Sequence, residues 1–104
     1  MSLAVAGEPR PLDPGRDLCA YRIVQEGLTN ALKHAGRSRA EVLLRYAPGS
    51  LGIEIRDDGS GSSQLDGAGQ GLIGMRERVA LYGGELVAGA RDGGGFAVLA
   101  RLPL

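Results

Sequence analysis

Tryptophan is absent from this chain, and only four aromatic rings, Tyr21, Tyr46, Tyr82 and Phe96, are spread along it. Surplus charge is lacking too, because twelve basic side chains cancel twelve acidic ones. A general nucleic-acid binder carries a basic footprint, so no nucleic-acid partner is expected. The single cysteine, Cys19, can form no internal disulfide; it is expected to pack as a small hydrophobe in a reducing cytoplasm. No run approaches the roughly 18 apolar residues that span a bilayer, and no charged-then-apolar leader opens the chain. The expectation is a soluble, cytoplasmic domain without direct membrane contact.

What is plentiful is glycine, with 18 in 104 residues, twelve of them between Gly59 and Gly95. That is well above the usual share of about 7 % and marks this half as the region of unusual backbone. A chain of this length holds one core between two layers, so residues 1–104 read as a single domain. Leu3–Gly7 reads as a strand that begins almost at the first residue, so the chain is expected to be a piece of a longer protein.

Downstream of Pro9 and Pro11, Asp13 can cap a helix with Pro14 at its first position. Tyr21, Val24, Leu28, Ala31, Leu32 and Ala35 recur at helical spacing up to Gly36, a suitable left-handed stop. Residues 40–46 and 51–57 alternate and flank Pro48-Gly49-Ser50, which predicts a hairpin. Period two sends Asp57 to the apolar side with Leu51, Ile53 and Ile55. An inward carboxylate needs donors from protein or ligand; the alternative is that the strand stops early and Asp57 caps the turn. Residues 62–69 read as a mobile loop. Leu72, Met75, Val79 and Tyr82 then mark a second helix, entered through Gly69 and Gly71 and stopped at Gly83. Residues 85–90 and 96–102 form a closing hairpin around Arg91-Asp92-Gly93-Gly94-Gly95. The charged Arg76-Glu77-Arg78 run is given no specific role.

Chemistry concentrates on the first helix. Glu26, Asn30 and Lys33 follow at i, i+4 and i+7, within about 60° of arc. Oxygen donors beside an ammonium can meet a hydrated Mg2+ and a polyphosphate, although a solvated face is the ordinary reason for such a stripe. A helix entered through glycines favours an anion at its start, whereas a plain flexible loop would use the same residues.

Glu26-x3-Asn30-x2-Lys33-His34, Asp57-x-Gly59-x-Gly61 and Gly69-x-Gly71-Leu72 resemble, in order and spacing, the nucleotide-binding boxes of the GHKL ATPase superfamily. More narrowly, Gln25-Glu26-x-Leu28-Thr29-Asn30-Ala31-x-Lys33-His34-Ala35 and Gly71-Leu72-x-Gly74-Met75-Arg76-Glu77-Arg78-Val79 look like the catalytic ATP-binding domain of bacterial sensor histidine kinases paired with NarL-type response regulators. The resemblance implies an α+β, two-layer α/β sandwich (Bergerat fold), with helices on one face of a mixed, mainly antiparallel sheet and an ATP lid loop. It implies ATP and Mg2+ as ligands, with Asn30 on the metal and Glu26 supporting the metal shell or polarising the attacking group. Lys33 would meet a phosphate oxygen, with His34 as a second contact. Asp57 would accept from the adenine amino group. Gly59 and Gly61 would let the backbone approach the base, and Gly69, Gly71 and the adjoining Leu72 would lie near the phosphates. The implied partners are a dimerisation domain bearing the phosphoacceptor histidine and, indirectly, the response regulator. The resemblance leaves room for a membrane anchor elsewhere in a full-length protein. Two departures stand out: Phe96 follows the last glycine where many members carry threonine, and the lid is short. An anti-sigma-factor serine kinase and a docking module that no longer uses ATP are the alternatives within this fold.

Overall fold

The computed structural model describes the backbone of residues 2–34, 39–58, 64–91 and 95–104, and the side chains there other than those of 30–34 and 64–71. Its elements are β1 (Ser2–Ala6), α1 (Pro14–His34), β2 (Ala40–Ala47), β3 (Ser50–Asp57), α2 (Gln64–Leu81), β4 (Glu85–Ala90) and β5 (Phe96–Pro103). The strands form one sheet in the order β1-β2-β3-β5-β4. Among the described residues β1 and β2 pair in parallel and the other neighbouring strands are antiparallel. The two-layer expectation is met.

Alternation decides which face of the sheet is covered. Val42, Leu51, Ile53, Ile55, Leu86, Phe96, Val98, Ala100 and Leu102 are buried and join Cys19 and Ile23 of α1 and Leu72 and Val79 of α2 in one core. The opposite face carries charges that fix strand register. Glu41 lies directly across from Arg56 and Glu85 across from Arg101, each pair 3.1 Å apart. Such exposed pairs contribute at most about 1 kcal/mol, so they specify alignment more than stability.

Helix α1 starts as expected, with the Arg16 N–H donating to Asp13 Oδ2 at 3.2 Å. Val24 and Leu28 of the expected stripe pack against the core, but the most buried line differs. Cys19 and Ile23 are each 1 % exposed, whereas Tyr21, expected to face the core, is 61 % exposed. The reason lies at Gly27, where an added Cβ would come within 3.0 Å of the Ile55 side chain. The helix presses on the sheet along the line Cys19, Ile23, Gly27, and Tyr21 falls off that line. Burial pushes the Cys19 thiol up from its usual value, opposed by the charge of Arg78.

The entry to α2 is a second correction. The loop expected over residues 62–69 is helical from Gln64 onward, and residues 62–63 lie outside the described part. Leu72 and Val79 lie in the core with Met75 packed against it, and they anchor the helix downstream of these glycines. Tertiary packing of this kind overrides the roughly 1 kcal/mol lost at each interior glycine. At the other end Gly83 takes φ +79°, the left-handed stop expected of it.

Candidate functional site

Contacts at the far end of the molecule set the direction of both helices. Arg16 Nε donates to the Pro103 carbonyl at 2.7 Å, and Pro103 pairs with Ser50, the first residue of β3. Gly27 rests over Ile55 near the other end of that strand. Arg16 to Gly27 covers about 16 Å of helix, and Ser50 to Ile55 about 17 Å of strand. Helix α1 therefore runs along β3 in the same direction. Its last turns, with Asn30, Lys33 and His34 in their backbone, arrive where β3 ends at Asp57.

Helix α2 runs back the other way. Tyr82, the residue just after its last turn, meets α1 at Arg16, whose guanidinium lies 4.9 Å from the ring centroid. One turn earlier, Arg78 acts electrostatically on Cys19, one turn further along α1. The beginning of α2, including Gly69, Gly71 and Leu72, consequently lies toward the Asp57 end. Leu72 is buried in the core.

Asp57 is 6 % exposed and is the buried charged residue among those described. The inward reading of this carboxylate is correct, and the residue keeps polar partners within the fold. Its carbonyl accepts from Arg91 Nη1 at 2.9 Å. Next to it, the Arg39 N–H donates to Asp58 Oδ1 at 2.6 Å and the Asp58 N–H to the Arg39 carbonyl at 3.3 Å. Gly95, at φ +94°, packs against the same corner so closely that a Cβ there would strike the Asp57 carbonyl oxygen.

Glu26 is half-buried on α1. The side chains of Asn30, Lys33 and His34 lie outside the described residues, as do Gly36, Gly59 and Gly61. Gly69 and Gly71 sit inside α2 rather than before it, so the free N–H groups at the helix start belong to residues 64–67. Neither Asp58 nor Arg91 was singled out by pattern. A carboxylate two residues before Ser60 in a glycine-rich turn was the available signal for Asp58; Arg91, 34 positions from Asp57, left none. Arg76, given no role, donates from Nε to the Leu86 carbonyl at 3.2 Å and fastens α2 to β4.

Among the described residues no cluster of three or more His, Cys, Asp or Glu could cage a metal. Mg2+ normally keeps several waters and takes one or two protein oxygens together with phosphate. A donor set of one carboxylate and one amide, Glu26 and Asn30, suits that mode. A groove of about 360 Å3 on the uncovered face of the sheet, between Leu43, Gly52, Val87 and Leu99, is a different feature. Asp57 points away from it.

Residues 15–104 match the family described as histidine kinase-, DNA gyrase B- and HSP90-like ATPase. The chain belongs to this ATPase family. Within the family the likeness runs to sensor histidine kinases. Sensor histidine kinase LnrJ of Bacillus subtilis is 34 % identical over 97 % of this chain, and YxjM of the same organism is 39 % identical over 81 %. The chain spans only 25 % and 20 % of those two relatives. The histidine kinase domain of the blue-light activated histidine kinase from Erythrobacter litoralis EL346 superposes with a TM-score of 0.71 at 30 % identity, over 99 % of this chain and 54 % of that one. The resemblance to a GHKL catalytic ATP-binding domain of the histidine kinase type is thus borne out. No helix among the described residues is long and apolar enough to cross a membrane.

Proposed function

We propose that this ATPase-family domain binds Mg-ATP at the Asp57 end of the sandwich and, within a longer protein, donates the γ-phosphoryl group to a histidine on a separate dimerisation domain. The observation that supports it most is the placement of a buried carboxylate, Asp57, at the end of β3 toward which the last turns of α1 run. In this reading Asp57 accepts from the adenine amino group, with Gly59 and Gly61 beside the base. Asn30 and Glu26 hold the Mg2+, which supplies charge neutralisation when bound. Lys33 and His34 are assigned to the phosphates. Gly69 and Gly71, inside α2, contribute by lacking a Cβ rather than by free N–H groups.

Transfer breaks the bond from the γ-phosphorus to the bridging oxygen and forms a P–N bond to the acceptor imidazole, which gives up a proton while ADP departs. Such reactions depend on positioning and charge neutralisation more than on covalent chemistry by the protein. His34 is the only histidine in the chain. Its place in the α1 segment assigned to phosphate makes it unfit to attack in line. The acceptor is therefore on the partner, and the downstream regulator is of the NarL type. A cytoplasmic location follows from the need for ATP.

Incubation with γ-labelled ATP tests this. The chain alone should remain unlabelled, and a supplied dimerisation domain should gain acid-labile label. Acid-stable label on a serine-bearing partner would support the anti-sigma-factor kinase instead, and absence of nucleotide binding at millimolar concentration would leave the docking module.

Base recognition is tested separately. Asp57→Asn presents a different donor and acceptor pattern to the base edge. Loss of a charged hydrogen bond should weaken ATP by about 1.5–3 kcal/mol. Tripolyphosphate, which has no base, should bind as before in calorimetry. Equal losses for both ligands would remove Asp57 from adenine.

A further inference from the structure

The corner that presents Asp57 is gripped from three sides, and one grip is of an unusual kind. Strand β3 ends at Asp57, whose last sheet partners are Ala40 on β2 and Phe96 on β5. On the β2 side, Asp58 closes a double contact with the Arg39 backbone. On the β5 side, Gly95 abuts the Asp57 carbonyl and comes within 3.0 Å of the Asp58 Cα by the Cβ it lacks. The third grip comes from beyond β5. Arg91 follows β4, its N–H closes the turn onto the Gly95 carbonyl at 2.9 Å, and its guanidinium reaches past β5 to the Asp57 carbonyl.

A cation on that carbonyl has a consequence for the side chain. The Asp57 carbonyl oxygen reports rotation about the Cα–C bond, and the Cα–Cβ direction moves with the same backbone. A charge-assisted hydrogen bond is roughly twice as strong as a neutral one, so it holds this rotation harder than a ladder bond would. Recognition of a flat base edge tolerates errors of only about 0.5 Å and 10–20°.

We propose that Arg91 is a positioning residue for nucleotide recognition: by holding the Asp57 carbonyl from the β4–β5 turn, it sets the direction in which the Asp57 carboxylate meets the purine base. The inference rests on the assignment of Asp57 to the base. It makes base selection depend on a residue 34 positions away from Asp57 in the sequence. A residue that merely staples the sheet would behave differently, since its loss would lower stability without distinguishing ATP from a bare polyphosphate.

The test is calorimetry on the full chain with Mg-ATP and with tripolyphosphate, alongside urea unfolding. Arg91→Ala should weaken ATP by about fivefold to twentyfold and leave tripolyphosphate within about twofold. Arg91→Lys, which keeps one charged donor, should recover part of the loss. In an Asp57→Asn background Arg91→Ala should add less than about twofold, because the residue acts through Asp57. Arg101→Ala, which removes an exposed ion pair on the far face, should change neither affinity. Should Arg91→Ala fail to fold, Arg91→Lys and Arg91→Gln decide by the same selective loss, Gln the larger. Equal loss of both ligands, no loss of either, or additive effects in the double variant would overturn the proposal. If Asp57→Asn itself does not separate ATP from tripolyphosphate, the assignment of Asp57 fails and this inference with it. If Asp57→Asn does separate them and the Arg91 variants do not, only the role of Arg91 falls.

Discussion

Alanine at Gly95 is expected to destabilise the domain by about 2–6 kcal/mol, the sum of about 1–3 for a strained backbone and about 1–3 for overpacking. Gly95 has φ +94°, and its missing Cβ would strike the Asp57 carbonyl oxygen and lie 3.0 Å from the Asp57 carbonyl carbon. Those atoms are main chain, so no side chain can swing aside to make room. Gly49→Ala isolates the backbone part: Gly49 has φ +79° with nothing within 4 Å of the added Cβ. In urea unfolding Gly95→Ala should lose clearly more than Gly49→Ala. It should also weaken ATP, because the clash displaces the corner that carries Asp57. Equal losses for the two variants would show that the β4–β5 turn yields without cost and that Gly95 matters only for its φ.

Ile53→Ala should cost about 2–5 kcal/mol, a large share of the 5–15 typical of a whole domain. Ile53 is 2 % exposed at the middle of β3, with Leu44 beside it on β2 and Ala100 on β5. Ala100 is too small to fill the space left behind, so most of the cavity should persist. The urea midpoint should fall with the slope unchanged. Val87→Ala, on the uncovered face and 58 % exposed, should stay within about 0.5 kcal/mol. Ile53 lies about 14 Å along the strand from Asp57, so ATP affinity of the folded variant should be unaltered. A loss below about 1 kcal/mol would mean that the helices do not clamp β3 as described.

Local pattern was sufficient for the strands, because period two is read directly from residues such as Leu51, Ile53, Ile55 and Asp57, whose alternation the sheet reproduces. The Asp13 cap, the Gly83 stop and both hairpins were legible for the same reason: each depends on a few neighbouring residues. The order of the motif boxes also sufficed to indicate the ATPase family, since their spacing is a property of the chain and needs no coordinates.

Tertiary structure decided the rest. It rotated α1 so that Cys19, Ile23 and Gly27 face the sheet and Tyr21 does not, because close approach at a glycine outweighs the burial of a ring with a polar tip. It carried α2 upstream to Gln64 through three glycines, because core packing at Leu72, Met75 and Val79 anchors a helix whose local propensity is weak. It also brought Arg91 to Asp57 across 34 positions of sequence. Periodicity and spacing describe neighbours along the chain, whereas that contact exists only because β5 lies between β3 and β4 in the sheet.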